Sequence, residues 1–442
     1  MNPRVPVLLA LSCALAVGGH RVTAQGPSFA LQGVRIVPVS GAVVDRGTVV
    51  IQGGAIAAAG AAVTVPPGAQ VIDGAGLTAY PGLIDMGSAR GLSMPAVPRA
   101  ESPRTMEDVE RVKADYLRRA QFRAADVVDP ASAALARAAA AGITAVLATP
   151  TGDGFRGQSA LLTTALPADE PQIGAMADSR KAPLVLRTPV ALHVTFPERP
   201  AGGNAYPNSL MGVIAFVRQT WLDAQHYGRT ATAAGSSAGY DPSLDALQPA
   251  LAGRLPVAFE ANTVAEIVRA LDMAKAFSLQ PIITGGREAD QVVTELKAAG
   301  ARVVLSLDFP TRPVSLAPDA DEPLSVLRAR AQAPAVAAAL AKADVPFVFQ
   351  SGGLDDPGDF RRHAARAVQR GLAPDRALAA LTLDAARMAG VAERVGSIEP
   401  GKIANLLVMR GDLFDEKATV AHVFVNGSPV NLDTPRSPTT RP

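Results

Sequence analysis

The order of strand and helix signals predicts an α/β protein: a TIM-like (β/α)8 barrel carrying a small β-sandwich built from both ends of the chain. Three observations predict it. Between residues 81 and 392, apolar strand-like segments alternate with helical ones, the pattern of a parallel sheet closed by crossover helices. Outside that span, both ends read as short β segments punctuated by glycine. The stretch Tyr80-Pro-Gly-Leu-Ile-Asp85-Met-Gly-Ser-Ala89 marks the change from one pattern to the other.

The 442 residues are 48% hydrophobic and 19% charged, a composition that folds and can bury a large core. The first element is a targeting segment. Arg4 gives a positive start, Val5 to Val17 an apolar run, and Val22-Thr23-Ala24 a small-residue cleavage site before Gln25. Residues 1–24 thus read as a signal peptide, with a periplasmic or extracellular destination; a retained anchor is the alternative. The run falls short of the ~20 apolar residues of a membrane span. Cys13 lies inside it, so a lipid-modified cysteine does not fit, and cleavage removes the chain's one cysteine. Cleavage also takes Arg4 and Arg21 and brings the formal charge from +2 to zero. Neither nucleic acid nor an anionic membrane is indicated as a partner, and no second segment is long and apolar enough to span a bilayer.

The sandwich is assigned to residues 25–80 plus 393–430. Its strands are Phe29 to Val39, Gly47 to Ala59 turning at Gly53-Gly54, Ala69 to Leu77 turning at Asp73-Gly74, Ala404 to Met409, and Val420 to Asn426. Residues 431–442, rich in Pro and Thr, read as a disordered tail. In the barrel, residues 81–392, strands are expected to end near Asp85, Thr149, Thr164, Phe196, Ala261, Gly286, Phe309 and Gly352. Helices are expected at Ala131 to Ala141, Pro207 to His226, Val264 to Phe277, Glu288 to Ala299, Ala333 to Ala343, Phe360 to Arg370 and Pro374 to Met388. Thr105 to Val128 reads as one long charged helix, and Tyr227 to Ser243 as a flexible loop and candidate lid.

Two familiar patterns lack their context. Gly152-Asp-Gly-Phe-Arg-Gly157 matches a dinucleotide fingerprint, but Ser159-Ala-Leu-Leu-Thr-Thr-Ala reads as strand where a helix is needed. Gly235-Ser-Ser-Ala-Gly239 matches a nucleophile elbow without a strand before it or a helix after it.

The first-strand stretch resembles the amidohydrolase superfamily, whose pattern is Pro-Gly-Leu-Ile-Asp-x-His-x-His. Gly396-Ser-Ile-Glu-Pro-Gly-Lys-Ile-Ala-Asn405 resembles the family's Gly-Ser-Ile-Glu-x-Gly-Lys-x-Ala-Asp. The resemblance is nearest to the exported, imidazolonepropionase-like branch. It implies a metal-dependent hydrolase of C–N bonds, with ligands at the C-terminal ends of barrel strands. Gly87 and Ala89 stand at the first-strand histidine places, Glu260 and Asn262 at the fifth, Gly285 or Gly286 at the sixth, and Gly352 at the eighth-strand aspartate place. Glycine and alanine have no side-chain lone pair to give a metal.

His193, Glu260, Asn262, Ser306, Asp308, Gln350 and Ser351 remain as pocket candidates near strand ends. His226, His363 and His422 are placed away from the barrel mouth. The expectation is an exported, catalytically degenerate family member without a metal cofactor. It would bind a small molecule, or serve as the non-catalytic subunit of an active relative or a homo-oligomer. The alternative is a hydrolase of peptide or non-peptide C–N bonds with a displaced metal, zinc first, or acid/base site around His193, Glu260 and Asp308.

Overall fold

The computed structural model describes residues 28–95, 104–129, 132–164, 185–198, 206–231, 239–317 and 319–433. The expected signal segment and residues 434–442 of the tail lie outside these, as do residues 232–238 of the candidate lid and elbow.

The chain opens with β1 (Phe29–Ile36), β2 (Val44–Gln52) and β3 (Ala55–Gly60), an antiparallel meander turning at Gly53-Gly54. The segment expected as a strand turning at Asp73-Gly74 is instead two strands, β4 (Gln70–Asp73) and β5 (Leu77–Pro81). Both run parallel to β1, one beyond the other. No hairpin forms there, because Gly74 donates its N–H to the Gln32 carbonyl and keeps the segment on the same edge. A Cβ on Gly74 would meet the Val34 Cβ at 2.7 Å.

Next come β6 (Leu83–Ser88), α1 (Met106–Tyr116), α2 (Ala133–Ala140) and β7 (Ile143–Ala148). The long helix expected over Thr105 to Val128 stops at Tyr116. Thr105 and Asp108 cap its start in a reciprocal pair. Leu117 then turns into the core, 2% exposed, and accepts the Phe155 N–H on its carbonyl. Burying that residue ends the solvated face that the charge pattern suggested. Ala124–Val127 makes one 3-10 turn.

Strands β8 (Phe155–Gln158) and β9 (Ala160–Thr163) follow, kinked apart at the fully buried Ser159. Here the expected alternation of strand and helix breaks. Only six residues separate β7 from β8, and a parallel return needs a crossover of a dozen or more. The pair therefore runs antiparallel to its neighbours: β9 against β7, and β8 against β11.

The rest runs in order: β10 (Val185–Arg187), β11 (Leu192–Thr195), α3 (Leu210–Ala231), α4 (Pro242–Ala246), α5 (Gln248–Leu251), β12 (Val257–Ala261), α6 (Val264–Ala276), β13 (Pro281–Gly285), α7 (Val293–Ala298), β14 (Arg302–Ser306), α8 (Leu324–Gln332), α9 (Val336–Lys342) and β15 (Phe347–Gln350). Then α10 (Gly358–Gln369), α11 (Pro374–Leu381) and α12 (Leu383–Met388) lead to β16 (Leu406–Arg410), β17 (Thr419–Val425) and β18 (Ser428–Pro429). β16 pairs with β5, so strands from both ends share one eight-stranded sheet. Its own core contains Leu31, Ile51, Ile56, Leu406 and Phe424. Among the described residues no helix is long and apolar enough to cross a membrane.

Two further sheets are ordered β10-β9-β7-β6 and β15-β14-β13-β12-β11-β8. Strand alternation sorts their residues to two sides. Leu83, Val146, Leu192, Phe259, Ile283 and Phe347 join the core that includes the helices. Ile84, Leu147, Ala191, Ala258, Ile282, Val304 and Val348 converge instead on one inner cluster.

The outer strands of these two sheets meet at Asp85. This carboxylate is fully buried and accepts from Ser351 N at 2.8 Å, Ser351 Oγ at 2.6 Å and Gly87 N at 3.2 Å. Arg90 Nη1 stands 3.7 Å away and donates to Ser351 Oγ at 2.7 Å, and its other nitrogen donates to the Leu354 carbonyl. Burial pushes the Asp85 carboxyl above its ordinary range, while the Ser351 bonds and Arg90 pull the other way. Asp85→Ala is expected to lower stability by about 3 kcal/mol, since two buried N–H groups and the Ser351 hydroxyl lose their acceptor and the Arg90 guanidinium its counter-charge. Urea denaturation of both proteins checks this, with Asp85→Asn falling between them.

Candidate functional site

The parallel strands β11 to β15 all point their C-terminal ends to one edge, and the expected pocket residues stand there. Cross-strand register puts Thr195, Glu260 and Thr284 in one row, and Ser306 beside Gln350 in another. His193 pairs with Ala258, one pleat deeper than Glu260.

The places where the family resemblance puts metal ligands are filled by neighbouring side chains. A Cβ on Gly87 would collide with Gln350 Oε1, and one on Gly285 with Asn262 Oδ1. At Gly352 it would meet Ser306 Oγ at 2.9 Å. Gly285 and Gly352 also have φ of +95° and +54°, a backbone region that disfavours any side chain. Three expected pocket residues thus occupy, as uncharged hydrogen-bonding groups, the space beside the altered positions.

The remaining candidates divide. Ser351 is wholly buried and belongs to the Asp85 clamp rather than to an open pocket. Asp308 is half-buried; its N–H donates to Ser306 Oγ at 3.1 Å, and its carboxylate lies against Gly353. Glu260 is exposed and pairs with Arg156 Nη2 at 2.5 Å. Among the described residues no three His, Cys, Asp or Glu side chains are grouped so as to hold a metal. His193, Glu260 and Asp308 therefore do not assemble the displaced metal site that their spacing in sequence left open.

Arg156 was missed by reading the sequence, although it lies inside the discarded Gly152 to Gly157 pattern. The glycines there serve loop geometry. Gly154 and Gly157 have φ of +60° and +115°, and added Cβ atoms would strike the carbonyls of Leu117 and Phe122. The backbone that follows α1 therefore fits against β8, and Arg156 Nε is anchored on the Gly152 carbonyl at 2.6 Å. The same arginine acts on His193. That imidazole is 4% exposed and its Nε2 has no partner among the described residues. Burial first, and the Arg156 charge second, drive its pKa from 6.5 down to about 3.

His193 is thus neutral in the fold over a range where the unfolded chain takes up a proton. Its folded pKa lies below the unfolded one, so stability is kept above pH 6.5 and lost as pH falls from there toward about 3. The expected loss is about 1.4 kcal/mol per pH unit within that window. Urea midpoints measured at neutral pH and midway through the window should differ less in His193→Leu than in the native protein.

No curated protein sequence matches the chain. The sequence profile of the Amidohydrolase family matches residues 288–430. That span runs from just before α7 through Gln350-Ser351-Gly352 to β18. Among solved structures, an amidohydrolase from Thermotoga maritima MSB8 shares 22% identity at a TM-score of 0.71, covering 91% of this chain and 99% of that one. A prolidase complexed with N-methylphosphonate-L-proline shares 20% at a TM-score of 0.53, over 91% and 99%. Identities this low speak to fold. The chain accordingly shares the fold of these amidohydrolase structures, and its residues 288–430 match the profile of the Amidohydrolase family.

Proposed function

We propose that this chain is an exported binding protein, or non-catalytic subunit, on the amidohydrolase fold. We read its linked strand pairings as one closed eight-strand barrel. β8 and β9 join the two sheets through Ser159, and Gly352 N–H donates to Gly87 O across the remaining seam. The terminal sheet is then the accessory sandwich, and the row of polar strand ends is the barrel mouth.

One observation carries the functional reading: the positions that resemble metal-ligand places lack donors, and Gln350, Asn262 and Ser306 stand in the space beside them. A hydrolytic zinc site takes three protein ligands at about 2 Å, commonly imidazoles. The residues present do not fit that requirement. Glu260 is a single carboxylate already paired with Arg156, and the His193 imidazole is buried a pleat deeper. Without assistance from an ion, a water at this mouth keeps nearly its bulk pKa, and hydroxide attack on an amide gains nothing. What the mouth offers is a row of amide and hydroxyl groups with one ion pair and the half-buried Asp308 carboxylate. That surface suits a small, polar, largely uncharged molecule held by hydrogen bonds.

Elemental analysis of protein purified without chelator should find no stoichiometric zinc, iron or manganese. Gly87→His/Ala89→His should not recruit one, because Gln350 must first swing away and the sixth- and eighth-strand places still lack donors. About one metal per chain, lost together with amide hydrolysis in Glu260→Ala, would overturn the reading in favour of a displaced-site enzyme. Export rests on the separate Val22-Thr23-Ala24 signal. N-terminal sequencing of native protein should begin at or near Gln25; a start at Met1 would sink the export part alone.

A further inference from the structure

At the edge of the strands opposite the polar mouth lies a concavity of roughly 510 Å³. Its wall comes from the residues just before β11 and β12 and from the turn after α12. Three guanidiniums line it, those of Arg187, Arg254 and Arg394, and among the described residues no carboxylate does. Between them stand apolar surfaces, among them Pro189, Leu255 and Val391.

Two of the arginines are held in place by backbone. Arg187 Nη1 donates to the Gly390 carbonyl at 3.1 Å, and Arg394 Nη1 donates to the Leu186 carbonyl at 2.8 Å. Gly390 has φ of +70°, and a Cβ there would collide with the Arg187 guanidinium. Glycine at this point therefore lets the planar group lie against the chain. Each guanidinium has five N–H donors, so one backbone bond apiece leaves most of them unspent. Arg254 follows Gly253, is exposed, and makes no side-chain hydrogen bond or ion pair among the described residues. Three like charges around one concavity repel one another unless an anion sits between them. A planar guanidinium pairs with phosphate or carboxylate through two parallel bonds, which a lysine cannot do.

We propose that this concavity is a binding site for small oxyanions, phosphate- or carboxylate-bearing molecules with an apolar body. Its volume is within the usual range for small-ligand sites. The charged rim would take the anion and the proline and aliphatic walls the rest. The site is separate from the mouth, and its existence does not depend on what the mouth binds.

Titration calorimetry on the full mature chain tests this with two probes, phenyl phosphate and phthalate, at matched ionic strength. At least one should bind with a Kd below about 1 mM, and which one does identifies the anion source. Arg254→Gln should weaken that binding at least about tenfold, the loss expected for a charge-assisted hydrogen bond. Its thermal midpoint should not fall, because Arg254 holds no other group and its removal relieves repulsion. The control Arg410→Gln, an exposed arginine at the end of β16, should bind as the native protein does. The proposal is overturned if neither probe binds with a Kd below about 1 mM, or if Arg254→Gln binds no more weakly than Arg410→Gln.

Discussion

The carboxylate of Asp85 is the constraint on which the site depends. It lies between the first strand of the central sheets and the last, 266 residues apart, and spends its oxygens on Ser351 and on the backbone at Gly87. A buried carboxylate is costly unless its acceptors are filled. Here they are filled from both strands, so neither can slide without breaking bonds to a charge. That fixes Gly87 opposite Gln350, and so fixes what the mouth is made of. Arg90, one turn of chain beyond β6, closes the same network onto Leu354.

The second constraint is the short loop between β7 and β8. Because it cannot carry a crossover helix, the chain reverses there, and two consequences follow from the reversal. The pair β8 and β9 joins the two central sheets through the kink at Ser159, whose N–H and hydroxyl both go to the Ala191 carbonyl. Arg156, on the reversed strand, comes to lie across β11 from Glu260. A guanidinium is thereby placed beside the exposed Glu260 carboxylate and close enough to His193 for its charge to act on the imidazole. Glycines at 154 and 157 are what let the chain after α1 close over this strand.

Much of this was legible in sequence where a period or a turn signal has a single physical cause. Val264 to Phe277 was expected as a helix and is one through Ala276, capped by Thr263 and Glu266. The two ends of the chain were expected to share a β unit, and β16 does pair with β5. The segment Gly396 to Lys402, which carried the resemblance, is tied together by its own side chains: Lys402 is buried and holds Glu399 at 3.1 Å. The Ser397 and Ser40 hydroxyls, with Lys402, bring that acid's pKa down to about 2. What could not be read depends on partners far along the chain. Helix α8 buries no residue and is held from outside, through Arg330 and Glu322 at 2.6 Å, so it has no apolar stripe to find. Ser351 read as a pocket group because its acceptor, Asp85, is remote in sequence. Arg156 was overlooked because its neighbours spelled a more familiar motif.

The space-filling at the mouth bears on whether the altered positions form one change or several. Removing an imidazole from a packed interior leaves a void, which costs about 24 cal/mol for each Å³ that neighbours fail to fill. At Gly87 and Gly285 the neighbours do fill it, Gln350 in one case and Asn262 in the other, from separate strands. Charge follows the same logic. A metal site gathers anionic and imidazole ligands around a cation, and without the cation any carboxylate left there needs another positive partner. Glu260 has one in Arg156. The volume and the charge that an ion and its ligands would supply are both provided by the chain itself. A single restored histidine would therefore meet an occupied space and a carboxylate already paired with Arg156, which supports the proposed reading of this edge as a hydrogen-bonding surface.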